Sequence, residues 1–183
     1  GCAGLTAAEL LSKRGFDVTV LEKESKQGGQ LNVASKPPHK EKINWVCEDL
    51  LSNAINSGAK VLFDIKADKN IIASYSPEIV ITATGGNAIH PKSFNGDNVV
   101  TVTQVLNGSI DISNKKVAVI GSGMTGLETS EPLVSKGNKV TVVEMADKIA
   151  PGAWFQQLDD ALPVLEKAGT EFLTSHKLLS VSS

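Results

Sequence analysis

The strongest constraint on this chain is that it contains the same segment twice. Sliding the 183-residue sequence on itself by 122 positions lays residues 1–22 over residues 123–144, and ten of the 22 pairs are identical. They are Gly1/Gly123, Gly4/Gly126, Leu5/Leu127, Glu9/Glu131, Leu11/Leu133, Gly15/Gly137, Val18/Val140, Thr19/Thr141, Val20/Val142 and Glu22/Glu144. The offset is too long for a solenoid, whose units recur every 20 to 50 residues or so. One supersecondary unit is therefore used twice, for two similar ligands.

The second copy shows what the unit is. Lys115 and Lys116 lead into Val117-Ala118-Val119-Ile120, a short apolar run suited to a strand buried in a parallel sheet. Gly121-Ser122-Gly123-Met124-Thr125-Gly126 follows, then a helical stretch to about Lys136, a Gly137-Asn138 turn, and a strand over 139–143 that ends at Glu144. Each glycine has its own task. Gly121 permits the tight strand-to-helix turn, Gly123 lacks the Cβ that would bar a pyrophosphate from the backbone, and Gly126 lets the helix approach the strand. The helix N-terminal amides and the positive end of the helix dipole then hold the anion.

Glu144 stands at the strand tip eighteen residues after Gly126, where a carboxylate accepts hydrogen bonds from ribose hydroxyls and repels a 2′-phosphate. NADH is thus expected over NADPH, with Lys148 the nearby group that would offset the repulsion. A GxGxxG alone recurs by chance in glycine-rich loops; the strand before it, the helix after it and the acid beyond make it a dinucleotide site rather than a structural turn. Pro132 falls inside the expected helix and should kink its last turns, downstream of the phosphate-facing end.

In the first copy, Gly1 and Gly4 align with the second and third glycines, so the chain begins inside the motif and reads as truncated at both ends. Cys2 occupies the slot of Met124. Glu22, at the end of an expected strand over 16–21, is the matching ribose acid. Residues 23–31 form a polar loop with consecutive glycines at 28 and 29, which suits either an ordinary flexible loop or a backbone passing close to a flat ligand. Lys36-Pro37-Pro38 leads to a helix over 41–56 with Ile43, Val46, Cys47, Leu50, Leu51 and Ile55 as its core stripe.

Strands are expected over 59–63 and 78–82. The second ends in Ala83-Thr84-Gly85-Gly86, small residues of the kind found where a parallel sheet meets its ligand. Residues 87–111 read as a connector with turn residues at 95–98 and 107–108, placing a domain boundary near Ile110: a partial FAD-binding domain over 1–110 and a partial NAD(P)H-binding domain over 111–183. The tail should hold a helix over 155–168 containing Pro163, a Gly169 C-cap, and strands over 170–174 and 177–181. The fold class is α/β, two Rossmann-like dinucleotide-binding βαβ units with parallel sheets.

Composition narrows the partners. A formal charge of -2 without a basic block argues against nucleic acid. Neither an apolar run of about 18 residues nor a signal segment occurs, so the cytoplasm is expected and a membrane is not. Cys2 and Cys47 form neither a CxxC pair nor a zinc pattern and read as free thiols. His39, His90 and His176 are single and suggest no metal site.

On these residues the chain resembles the C-terminal FAD and NAD(P)-binding region of the NADH:flavin oxidoreductase family, which includes 2,4-dienoyl-CoA reductase, enoate reductases and trimethylamine dehydrogenase. The resemblance is carried by GGQLNVASKPPHKEKI (28–43), EIVITATGG (78–86), and KKVAVIGSGMTGLETSE through TVVEM (115–145). It implies a flavoprotein module passing hydride from NAD(P)H to FAD. An N-terminal TIM-barrel portion of the same protein, absent from this chain, would carry FMN and a 4Fe-4S cluster. Matching positions assign FAD to Gly1, Ala3, Gly4, Glu22, Lys23, Gly29, Gln30, Leu31, Lys36, Thr84, Gly85 and Ala67. They assign the nicotinamide cofactor to Gly123, Met124, Thr125, Gly126 and Glu144, beside the turn glycine Gly121. No catalytic side chain is assigned, since hydride transfer needs no protein acid or base.

Two departures from the family stand out: Cys2 replaces a common proline, and the Gly-Asp motif that closes the family's FAD site lies beyond Ser183. The alternative reading is a non-catalytic module that holds ADP for structural reasons. The substrate of the parent protein belongs to the absent barrel.

Overall fold

Two compact units make up the chain, the first formed by residues 1–35 and 39–87, the second by 36–38 and 88–183. The computed structural model describes residues 1–89, 94 and 96–181. His90 and part of the expected connector, Asn95 among it, lie outside the described residues.

The first unit begins with α1 (Cys2–Lys13), whose heptad-like spacing of Leu5 and Ala8 gives one buried stripe. The helix stops because Gly15 adopts φ +88° and its amide, with those of Arg14 and Phe16, turns back to the carbonyls of Ser12 and Leu11. Strand β1 (Thr19–Leu21) follows, then the short α2 (Leu31–Ala34), α3 (Ile43–Asn56), β2 (Lys60–Leu62) and α4 (Lys69–Ser74), the last capped by the Asp68 carboxylate. β1 and β2 are parallel, with Thr19 opposite Lys60 and Leu21 opposite Leu62. Leu5, Ala8, Ala54 and Ala59 form the core, backed by Val18, Val20, Leu50, Leu51 and Val61.

Two expectations fail here. Residues 78–82 join no ladder among the described residues, with a bend at Glu78, and Ile79 is 74% exposed. β-branching fits a side chain to extended backbone, whereas a strand also needs a neighbour for its amides and carbonyls. On α3, Val46 and Ile55 are exposed; the buried face centres on Cys47 and Ala54, because the small Ala54 permits the close packing of α1 against α3.

The second unit opens with α5 (Val102–Leu106), started by a capping box between Thr101 and Gln104. β3 (Lys116–Ile120), α6 (Met124–Ser135), β4 (Lys139–Val143), α7 (Phe155–Lys167) and β5 (Glu171–Leu173) complete it. The three strands are parallel in the order β3-β4-β5, with Lys116 opposite Lys139 and Thr141 opposite Glu171. Val119, Val140, Val142 and Leu133 form one core cluster, with Val105 and Ile112 packed against it. Leu127, Ala150 and Leu165 form a second. Val105, in the stretch read as connector, and Ile112, just past it, thus contribute side chains to the second unit's core.

α6 continues through Pro132 to Ser135 and ends at Gly137, φ +75°, as α1 ends at Gly15. Asn138 then acts as a staple. Its Oδ1 accepts from the Lys115 amide at 2.9 Å, and its Nδ2 donates to the carbonyls of Ile112 at 2.7 Å and Leu133 at 2.8 Å. The strand expected over 177–181 does not form; that segment has no ladder partner among the described residues. No helix among them is long and apolar enough to cross a membrane.

Candidate functional site

Both repeat copies bring an acid at a strand tip to face the opening of a helix. In the first, α1 opens at Gly1 without a side-chain cap, so the first-turn amides keep no intrahelical partner. Glu22 Oε2 accepts from the Gly1 terminal ammonium at 3.2 Å, and Oε1 accepts from the Glu24 amide at 3.1 Å. Burial pushes the Glu22 carboxyl up, but the Glu24 amide and the terminal ammonium outweigh it and hold the group below its ordinary value.

The Gly28-Gly29 loop folds onto the same place. A β-carbon on Gly29 would sit 3.3 Å from Gly1 Cα, and one on Gly28 would meet Asn32 and the Cys47 sulfur at 2.9 Å. Gln30 Nε2 donates to the Gly86 carbonyl at 2.7 Å, which ties the loop to the small-residue segment 83–86. Gly4 packs its backbone toward Ala83, 3.4 Å from where a Cβ would stand. Gly1, Gly4, Glu22, Gly29 and Gln30 are thereby gathered around one helix end, with the exposed Thr84 and Gly85 in the tethered segment and Ala3 and Leu31 in the first turns of α1 and α2. Lys23 is exposed and pairs with Glu24 at 3.4 Å. Ala67 is exposed beyond Ile65, whose amide donates to the Glu22 carbonyl at 2.9 Å. Lys36 is exposed and belongs by packing to the second unit.

The second copy is more tightly built. Gly121 takes φ +98° to turn the chain from β3 into α6. A β-carbon on Gly126 would fall 2.1 Å from the Gly121 carbonyl oxygen, so no side chain fits there. Around Gly123, by contrast, nothing lies within 4 Å of where a Cβ would be, and the residue is exposed. Backbone at Gly123 therefore faces open space at the start of a twelve-residue helix that has no side-chain cap. Met124 and Thr125 supply the first helical turn.

Glu144 is 9% exposed and accepts hydrogen bonds on both carboxylate oxygens. Its Oε2 accepts from the Ser122 amide at 2.9 Å and the Ser122 hydroxyl at 2.8 Å, and Oε1 accepts from the Ala146 amide at 2.8 Å. The Ala146 and Ser122 amides and the Ser122 hydroxyl outweigh burial and lower the carboxyl to about 2. The Ala150 amide donates to the Ser122 hydroxyl at 2.8 Å. Ser122 and Ala150 were not singled out by spacing: Ser122 fills a slot of the glycine motif that carries no residue preference, and Ala150 acts through its backbone.

The likeness of the copies extends past the sequence repeat. The Glu22 amide donates to the Leu62 carbonyl at 2.9 Å and the Glu144 amide to the Leu173 carbonyl at 2.8 Å. Two residues further on, the Asp64 and Ser175 amides donate to the carbonyls of Glu24 and Ala146, with φ values of +58° and +57°. β2 and β5 thus occupy equivalent places, each paired with the strand that leads to the acid, at an offset of 111 rather than 122 residues.

Parallel strands joined by a glycine turn and a helix, with an acid at the second strand's tip, define a Rossmann-like dinucleotide-binding chain. The chain belongs to the pyridine nucleotide-disulphide oxidoreductase family, which it matches over residues 1–182; proteins of this family bind FAD and NAD(P). It is 39% identical to NADH oxidase of Thermoanaerobacter brockii over 82% of this chain and 24% of the relative. With bilirubin reductase of Mediterraneibacter gnavus the identity is 33% over 100% of this chain and 29% of the relative. The solved 2-naphthoyl-CoA reductase, in complex with 2-naphthoyl-CoA, superposes on all of this chain with a TM-score of 0.89 at 25% identity, over 28% of its own length. Histamine dehydrogenase from Rhizobium sp. 4-9 shares the fold, with a TM-score of 0.86 at 20% identity. The chain spans under a third of the length of each of these relatives.

Proposed function

We propose that this chain is the electron-entry module of an NADH:flavin oxidoreductase, with FAD at the first repeat copy and NADH at the second. The observation that carries the reading is the open backbone at Gly123 beside a Glu144 carboxylate held charged at the neighbouring strand tip. When bound, the nicotinamide supplies a hydride that the flavin accepts. The chain's own residues bind and orient. Gly123, Met124 and Thr125 present amides to a diphosphate, and Glu144 presents a negative charge to the adenosine ribose. In the first copy, Gly1, Ala3 and Gly4 do the same for FAD, with Glu22 on its ribose and the 29–31 loop and Thr84-Gly85 along the flavin. Ala67 and Lys23 complete that set at its edge.

The NADH oxidase and reductase names of the relatives support the class of reaction, and their greater length supports a parent protein with further domains. Calorimetric titration of the full chain with FAD, ADP and NADH tests the reading. NADH binding that is lost in Gly123→Val, together with FAD binding that survives it, is the expected result. Tight ADP binding with neither flavin nor NADH binding would replace it with a structural nucleotide module.

A further inference from the structure

The Glu144 carboxylate is held mainly by the protein itself. A carboxylate offers about four acceptor positions; the Ser122 amide and hydroxyl occupy two on Oε2, and the Ala146 amide occupies one on Oε1. The Ser122 side chain is wholly buried, and its hydroxyl is engaged both as donor and as acceptor: it gives its proton to Glu144 and accepts a hydrogen bond from the Ala150 amide. A single hydroxyl therefore connects the glycine turn, the tip of β4 and the loop up to residue 150.

We propose that Ser122 is a positioning residue for nucleotide choice: by filling both acceptor positions of Oε2, it fixes Glu144 so that one acceptor position, on Oε1, faces a single ribose hydroxyl of a nucleoside diphosphate. The inference rests on the NADH reading of the second copy. A carboxylate locked in this way cannot swing aside when the ribose carries a phosphate, so the repulsion is felt in full. Without the hydroxyl, Oε2 regains a free lone pair and the Ala150 amide loses its acceptor. Glu144 can then turn, which weakens its grip on the hydroxyl and eases entry of the phosphorylated ribose.

Calorimetry on the full chain with NADH and NADPH tests this in Ser122→Ala, Ser122→Thr, Glu144→Gln and the Ser122→Ala/Glu144→Gln double variant. Ser122→Ala should cut the NADH-over-NADPH preference roughly tenfold, the scale of one charge-assisted hydrogen bond. Ser122→Thr, which keeps the hydroxyl, should restore it, and Ser122→Ala should change nothing further once Glu144 is Gln. Equal weakening of both cofactors, or an undiminished effect in the Glu144→Gln background, would overturn the proposal. A second measurement needs no variant: NADH lacking the adenosine 2′-hydroxyl and NADH lacking the 3′-hydroxyl are titrated into the wild-type chain. Loss of affinity for one of the two supports single-hydroxyl recognition, and equal loss for both refutes it. A wild-type chain that binds no NADH fails the functional reading and this inference together; a preference for NADH that is indifferent to Ser122 fails this inference alone.

Discussion

The two repeat copies reach one geometry by different local chemistry. At the acid the copies agree in one bond, the amide two residues on donating to Oε1 of Glu22 and of Glu144, and in the second copy Ser122 adds an amide and a buried hydroxyl with its own backbone partner. At the third glycine, Gly126 is pressed against the carbonyl of Gly121, whereas Gly4 makes an ordinary contact with Ala83. At the start of the second strand, position 138 is an asparagine that staples three segments, and its counterpart is Phe16, 55% exposed. What the pair teaches is that the shared residues set the path of the chain, while the contacts that hold that path differ between the copies.

Substitutions at paired positions should break this symmetry. The largest effect is expected at the glycines: Gly126→Ala should cost more than about 4 kcal/mol in urea denaturation, because backbone on both sides of the clash must move. Gly4→Ala should cost within about 1 kcal/mol. Equal costs would remove the distinction.

Next comes the acid. The folded-state pKa of Glu144, about 2, lies below its ordinary value of 4.5, so the native state holds fewer protons than the unfolded one. The stability this supplies is complete above pH 4.5 or so and is lost as pH falls toward 2, an amount on the order of 3 kcal/mol. Glu144→Gln should therefore be destabilised at pH 7 and converge on wild type near pH 2. Glu22, also lowered, should show the same sign with a smaller amplitude. Denaturation midpoints across pH for the two Gln variants measure both. The smallest contrast is at the staple: Asn138→Ala should cost roughly 2 kcal/mol by stripping partners from three backbone groups, and Phe16→Ala within about 0.5 kcal/mol, as for other exposed sites.

Much of this was legible in the residues. The glycine spacing and the β-branched runs located β3, α6 and β4, with β4 at its observed bounds, because those elements are local and strongly patterned. Glu22 and Glu144 could be named because the repeat put both at strand tips. Residues 78–82 misled because their apolar run reports a preference for extended backbone and says nothing of a partner strand. The equivalence of β2 and β5 escaped because the linking segments differ in length and the shared features are backbone hydrogen bonds and the left-handed Asp64 and Ser175. Ser122 was hidden for a related reason: a small polar residue in a permissive slot acquires meaning only when its partner, 22 residues away, folds back onto it.

The most direct test of two separate nucleotide receptacles is an amide chemical-shift map of the isotope-labelled chain, with NADH and FAD added in turn. NADH is expected to move the amides of residues 121–126 and 144–150, and FAD those of 2–4, 22–31 and 84–86. Shifts scattered elsewhere, or both ligands acting on one of the two turns, would contradict two separate receptacles.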